Sequence, residues 1–376
     1  MITQTETVTG RARYSGSTRE DRLRAFKRLI AHPHLVAASQ AVNEAIREPG
    51  GALLIFVCGP TGVGKTTLKN HGLQLDEERA PMLSLLARPP LHGSFSWGEF
   101  LQSGLALLEQ PSTDHVGTFC VDNSEEHVYS AGPNESWLVG RSLKGRVDRN
   151  LRLSLETALK QRRPAAVIID DAQYLGRVSR NRQVRDQIDC LKSMAETTET
   201  AHVLIGSYEL LNLYDACAQS TARSRFVHFP RYGSTDEELS QFRGVLSAFQ
   251  CLLPFDEETD LLLKHWEFCY ERSLGCVGIL HTLLARAVHV ALWAGEKTLC
   301  RARLEHCALS ESECSVLMRE IHEVERHLAY RPAPAELRQL LGLAPHTMFS
   351  SEAPATKRRA TSRRKALGPK RAWSNR

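Results

Sequence analysis

The sequence predicts an α/β fold: a parallel five-stranded sheet flanked by helices, followed by a small all-helical domain. Three observations predict it. Short apolar runs alternate with segments of helical periodicity as far as residue 234. The first of those runs empties into a Gly-rich loop ending in Lys65-Thr66-Thr67. Beyond Thr235 the strand signals stop and only helical segments follow. Strands alternating with helices argue for a parallel sheet covered on both faces.

Residues 1–18 are polar and read as a flexible N-terminus. From Thr18, Leu23, Phe26 and Ile30 and then Leu35, Ala38, Val42 and Ile46 recur at a spacing near 3.6, with a break at His32-Pro33-His34. Pro49-Gly50-Gly51 stops this helical leader. "ALLIFVC" (52–58) is a continuous apolar run, as expected of a strand buried on both faces. A helix is expected from Lys65, a second strand in "PMLSLLAR" (81–88) and a helix in "SWGEFLQSGLALLEQ" (96–110). Residues 111–137 are rich in Gly, Asn, Ser and Asp and read as a long loop or insertion. A helix over 146–161 precedes the third strand, within "PAAVIIDDAQYL". "RDQIDCLKSMAETT" is helical, "AHVLIGSYEL" holds the fourth strand, and "RFVHF" (225–229) is the fifth. Four helical segments follow, the last being "LSESECSVLMREIHEVERHLAY". The α/β domain with its leader is therefore assigned to 19–234, the helical lid to 235–330, and a linker with a basic tail to 331–376.

Hydrophobic residues make up 42% and charged residues 24%, which is ordinary globular composition and permits a sizeable core. The formal net charge is +5, but the last twenty residues hold nine Lys or Arg and no acid. The rest of the chain is mildly acidic. The tail reads either as a polyanion-binding segment or as a solvated terminus. Ten cysteines occur without a Cys-x-x-Cys pair. Cys300, Cys307 and Cys314 repeat every seven residues, which on a helix would make a core stripe rather than a metal site. The N-terminus lacks an apolar signal region, and no apolar run reaches the roughly 18–20 residues of a membrane span. The expectation is a cytoplasmic protein with reduced thiols and no membrane partner.

The motif with chemistry is Gly59-Pro60-Thr61-Gly62-Val63-Gly64-Lys65-Thr66, which fits G-x-x-x-x-G-K-[ST] at every fixed position. Glycines let backbone N–H groups close around phosphate oxygens, and the following helix N-terminus favours negative charge. Lys65 is expected on the β- and γ-phosphates, with Thr67 completing the loop. The Thr66 hydroxyl is expected on Mg²⁺. Such a loop needs an acid at the end of another strand, and Val167-Ile168-Ile169-Asp170-Asp171 supplies it. Asp170 is assigned to the metal. Asp171 stands where a general base would orient the attacking water, or else it caps a helix. It is one methylene shorter than Glu, so slow or partner-dependent ATP hydrolysis is expected. Ser207, at the end of the fourth strand, is the candidate sensor of the γ-phosphate, although Ser is also common at strand ends. Arg223 lies just before the fifth strand and Arg225 begins it, at the edge of the sheet. They read either as fingers for a neighbouring subunit's γ-phosphate or as surface ion-pair partners.

With these parts in order, the chain resembles the AAA+ ATPases. More narrowly, it resembles transposition regulators of the TniB/TnsC type, related to MuB and IstB. The resemblance is carried by "IAHPHLVAASQAVNEAI", "GPTGVGKTTL", "VIIDDAQYL", "VLIGSYEL", "SRFVHFPRYGSTDEEL" and "SLGCVGILHTLLARAV". It implies a bacterial ATPase using ATP and Mg²⁺ that binds duplex DNA without sequence preference and assembles as a ring or helical filament. It further implies partners: a TniQ-like target selector and a DDE-type transposase. The carried residues are Gly59 to Thr67, Asp170 and Asp171, Ser207, and Arg225 or Arg223. Two departures stand out: Asp171 replaces the commoner Glu, and Cys276, Val277 and Ile279 stand where many AAA+ lids carry a sensing arginine. "GRSLKGRVDRNLR" (140–152), with Arg141, Lys144, Arg146, Arg149 and Arg152, would face the pore of related assemblies. Phosphate contacts there would give salt-sensitive, sequence-independent affinity. The same run also reads as an exposed helix face. A helicase loader or replication initiator, and an oligomerising signalling NTPase without DNA, are the alternatives.

Overall fold

The computed structural model describes residues 18–26, 30–48, 53–73, 81–90, 93–109, 136–178, 184–216, 223–255, 260–329 and 341–342. All but the end of the insertion at 111–137, the first 17 residues and the basic tail lie outside these. So do the side chains of 136–147, and with them those of Arg141, Lys144 and Arg146.

Five parallel strands form one sheet in the order β2-β3-β4-β1-β5. They are β1 Leu54–Cys58, β2 Leu83–Leu86, β3 Val167–Asp170, β4 His202–Gly206 and β5 Ser224–His228. Burial follows position in the sheet. All five residues of β1 and all five of β4 are buried, as continuous apolar runs require of central strands. The edge strand β2 instead alternates buried and exposed, so Leu86 faces solvent. In register, Cys58 lies beside Gly206 and His228, so the ends of β4, β1 and β5 align at one rim.

The helices of the α/β part are α1 Arg19–Phe26, α2 Pro33–Arg47, α3 Lys65–Thr67, α4 Trp97–Glu109, α5 Ser136–Arg162, α6 Val184–Thr198 and α7 Leu211–Ala216. His32 caps α2 through its ring nitrogen, and Pro33 occupies the first turn, where a missing N–H costs nothing. The apolar face of α2 (Leu35, Ala38, Val42, Ala45) packs on Ile55, Val57, Val203 and Ile205. From the opposite face Tyr214 of α7 meets the Phe56 ring edge-on at 5.3 Å. Fully burying side chains of this size contributes roughly 1.5–3 kcal/mol each.

The helical part comprises α8 Asp236–Leu252, α9 Leu261–Lys264, α10 Trp266–Ser273, α11 Val277–Trp293, α12 Arg301–Cys307 and α13 Glu311–Ala329. Thr235 and Glu238 form a reciprocal cap at the start of α8. The core of this part gathers Phe242, Leu246, Phe249, Leu280, Leu284 and Val288. Residues 1–324 form one compact unit; Glu325–Arg376 is a second, whose described residues are the end of α13 and 341–342. No single helix among the described residues is long and apolar enough to cross a membrane.

Four expectations are corrected. The helix at Lys65 is α-helical for only three residues and continues as a π turn, Leu68–Gly72. The Gly72 carbonyl is taken by the Ser39 hydroxyl and the Asn43 amide, which draws the last turn toward α2. The helix expected over 146–161 begins at Ser136. The cysteine stripe does not exist: Cys300 is the exposed N-cap of α12, Cys307 ends that helix, and only Cys314, on α13, is buried. The leader divides between two cores, because Phe26 of α1 packs with Phe249 and stacks on His281 at 5.8 Å while α2 packs on the sheet.

Candidate nucleotide site

The phosphate loop follows β1 at the aligned rim. Gly62 and Gly64 have φ of +78° and +117°, which side chains rarely tolerate. Gly59 admits no side chain for another reason: a Cβ there would lie 2.2 Å from the Phe229 carbonyl oxygen. Phe229 is itself anchored, its N–H donating to the Cys58 carbonyl at 2.8 Å. Lys65 donates to the carbonyls of Gly59 and Pro60, each at 2.9 Å. Burial pushes its ammonium below the usual lysine range, while nearby Cys276, Cys58, Asp171 and Asp170 act the other way. A desolvated cation inside a cradle of backbone is suited to an anionic ligand. Thr66 is exposed at the first turn beyond.

The acidic pair stands on the neighbouring strand but one. Asp170 accepts from Lys69 at 2.6 Å through Oδ2, and its Oδ1 accepts from the Asp171 N–H at 3.0 Å. Lys69 lies four residues after Lys65, within the π turn that follows the loop. Thr66 and Asp170 offer hard oxygen donors, which fit Mg²⁺ held jointly with phosphate. Among the described residues no three His, Cys, Asp or Glu side chains gather as a metal set of their own. Asp171 begins a 3-10 turn in the left-handed region, φ 53°, and its side chain makes no capping hydrogen bond. Its Oδ1 instead accepts from the Gln173 amide at 3.2 Å. The Gln173 carbonyl oxygen accepts from the Ser207 N–H, also at 3.2 Å. Lys65, Asp170, Asp171 and Ser207 are thus brought to one rim.

Arg223 and Arg225 are not brought there. Arg225 lies beside Ile55, three residues before the end of β1, and Arg223 precedes the first paired residue of β5. At roughly 3.3 Å per residue, Arg225 sits about 10 Å down the sheet from its own loop. Its guanidinium pairs with Glu48 at 2.6 Å, and Arg223 approaches Glu196 at 3.8 Å; both arginines are exposed. Of the basic residues on α5, Arg149 is exposed, whereas Arg152 is turned inward. It donates to Glu156 at 2.7 Å and to Ser193 at 2.9 Å, tying α5 to α6.

Three features escaped the sequence reading. Lys69 was signalled only by its four-residue spacing from Lys65. Gln173 gives no local signal of a role beyond following the two acids. The third is the contact between lid and loop: the Ile279 N–H donates to the Gly62 carbonyl at 3.1 Å, and a Cβ on Gly278 would lie 2.4 Å from that oxygen. The N-terminal end of α11 therefore rests on the loop by backbone. Beside it, the Tyr232 N–H donates to the Gly275 carbonyl at 2.9 Å. The His34 ring stacks on Tyr232 at 4.0 Å, and His32 Nδ1 meets the Tyr232 hydroxyl at 3.2 Å. Burial, with His34 adding to it, lowers the His32 pKa to about 4, so this junction of leader, sheet and lid is built around a neutral imidazole.

Residues 47–214 match the AAA domain family (AAA_22). No curated protein matches the chain. Among solved structures, the chain is similar to the Aeropyrum pernix ORC2 protein at 14% identity, covering 76% of this chain and 72% of that one, with a TM-score of 0.48. The Walker-type ATPase PABY2304 of Pyrococcus abyssi aligns at 17% identity over 77% and 75%, TM-score 0.43. The RuvB Holliday junction branch migration motor of Thermotoga maritima aligns at 14% over 84% and 83%, TM-score 0.40. The AAA match covers the loop, the acidic strand and β4, and the parallel order β2-β3-β4-β1-β5 sets them side by side. The chain has the P-loop AAA+ fold.

Proposed function

We propose that this protein is a Mg-ATP-dependent switch that hydrolyses ATP slowly, assembles with copies of itself on duplex DNA, and regulates transposition. The observation that carries the oligomeric part is the separation within the sheet. The loop, Asp170, Asp171 and Ser207 share one rim, while Arg223 and Arg225 lie exposed about 10 Å below it. An arginine so placed serves a neighbour's γ-phosphate rather than its own. In this reading Lys65 grips the β- and γ-phosphates, Thr66 and Asp170 hold Mg²⁺, Asp171 orients water, and Ser207 reads the γ-phosphate. Lys69, paired with Asp170, would share that carboxylate with the metal.

DNA binding and the link between a TniQ-like selector and a DDE-type transposase rest on the motif resemblance, above all "DDAQYL" and "LGCVGIL". Arg149, with Lys144 and Arg146 of the same helix, is the proposed phosphate contact; the inward pairing of Arg152 gives it a packing role instead. The test is retention of random duplex on filters with ATP, with ADP and without nucleotide. ATP-dependent retention that falls steeply with salt supports the reading. Equal retention in all three conditions removes DNA from it. A DDE-type transposase that raises the hydrolysis rate separates a transposition regulator from a helicase loader.

A further inference from the structure

We propose that Gln173 is a positioning residue that fixes the Asp171 carboxylate against the end of β4; this rests on the reading of Asp171 as the base in ATP hydrolysis. The backbone ladder between β3 and β4 stops at Ile169 and Leu204. The ladder between β1 and β4 runs on to Cys58 and Gly206. Asp171 therefore leaves the sheet without a backbone tie to β4, at the height where β4 is still bound to the strand carrying the phosphate loop. The Gln173 side chain closes that gap. Its Nε2 donates to Asp171 Oδ1 and its Oε1 accepts from the Ser207 N–H, both at 3.2 Å.

Chemistry selects this residue type. One end of the bridge meets a carboxylate, which only accepts, and the other meets a backbone N–H, which only donates. A primary amide satisfies both with one planar group. Glutamate would set a second negative oxygen against Asp171, leucine would make neither bond, and asparagine is one methylene short. Gly206 makes the room: a Cβ there would come within 2.6 Å of Gln173 Oε1. With φ at 53°, Asp171 holds a backbone conformation that its surroundings must impose. The amide on Oδ1 sets the rotation of the carboxylate and leaves Oδ2 to take a water. Base, sensor strand and phosphate loop then move as one piece, which offsets the shorter reach of Asp.

The experiment is steady-state ATP hydrolysis by the full-length chain across pH, with Mg-ATP affinity measured separately by a fluorescent analogue. Gln173→Leu is expected to lower kcat roughly 10- to 100-fold through misplacement of the base, with nucleotide affinity unchanged. Gln173→Glu is expected to shift the acidic limb of the pH–rate profile upward, because two facing carboxylates hold a proton more tightly. Gly206→Ala, which displaces the amide while Gln173 remains, should lower kcat and should not add to Gln173→Leu. Wild-type kcat and an unshifted profile in Gln173→Leu and Gln173→Glu, with Asp171→Asn inactive, would overturn the proposal. So would strict additivity of Gly206→Ala and Gln173→Leu. Full activity in Asp171→Asn removes the base assignment itself, and hydrolysis that survives Lys65→Ala removes this site as its source.

Discussion

At the upper rim of the sheet, Lys65, Asp170 and Asp171 are each tied to other parts of the same chain, to loop carbonyls, to Lys69 and to Gln173. At the lower end, Arg223 and Arg225 reach outward to Glu196 and Glu48 in exposed pairs. Exposed ion pairs contribute little and are screened by salt, whereas desolvated bonds between strand ends fix geometry. The upper rim is held together by bonds within the chain itself. The lower end is held loosely enough to be surrendered to another molecule. That contrast is what the proposed site shared between subunits would require, and substitutions at each end should test the two halves separately.

The largest effect is expected from Arg225→Ala. If its guanidinium stabilises charge in a neighbour's site, kcat of the assembled protein falls on the order of 1,000-fold, the lower bound for a finger arginine. Thermal stability should be unchanged, because the lost partner is an exposed one. Arg223→Ala, made alongside, tells which of the two serves. Equal kcat in wild type and both variants would return these arginines to plain surface pairing. Next comes Lys65→Ala at the upper rim. Nucleotide binding should weaken by roughly 100-fold or more, as expected on losing a partly buried charge aimed at an anion. Isothermal titration with a non-hydrolysable analogue would measure it, and unlike Arg225→Ala the loss should appear at any protein concentration.

How much of this was legible beforehand depends on how local the signal is. The central strands β1 and β4 were readable because a strand buried on both faces must be apolar throughout, and "LIFVC" and "HVLIG" are nearly so. The loop was readable because backbone conformation confines its glycines to fixed positions. The Gln173 bridge was not, because its two partners meet only through the pairing order of the strands. The repeat of Cys300, Cys307 and Cys314 misled for a related reason: periodicity says nothing of a chain break, and Ala308 leaves α12 in extended conformation between the second and third. Periodicity alone does not say that Phe26, in the same leader as α2, packs in the helical core while α2 packs on the sheet.

Protonation should loosen both ends. His32 lies at the upper junction and His202 at the start of β4, and burial lowers each pKa to about 4. In the unfolded chain each takes a proton near pH 6.5, while in the folded chain each does so only near 4. Between those values the unfolded state binds more protons, so stability falls as pH drops from about 6.5 toward 4. Each histidine should cost about 2 kcal/mol at pH 5. Urea melts at pH 7.5, 6 and 5 would show it, and His32→Gln should remove one share of the slope. Stability that is flat or rising toward pH 5 would mean that neither imidazole is held neutral.

The smallest effect tests the looseness of the lower end directly. Glu48 holds Arg225 through both carboxylate oxygens, at 2.6 and 2.7 Å to one guanidinium nitrogen. If that pair competes with a neighbour's phosphate, Glu48→Gln should raise hydrolysis about twofold at protein concentrations where assembly is incomplete, since an exposed pair has little more than that to give. The gain should shrink as protein concentration rises and subunit contacts take over. It should also shrink in high salt, which weakens the pair in the wild type and brings the two proteins together. A fall in activity instead would mean that Glu48 orients Arg225 toward its target rather than detaining it, and the exposed pair would then belong to the shared site as a working part.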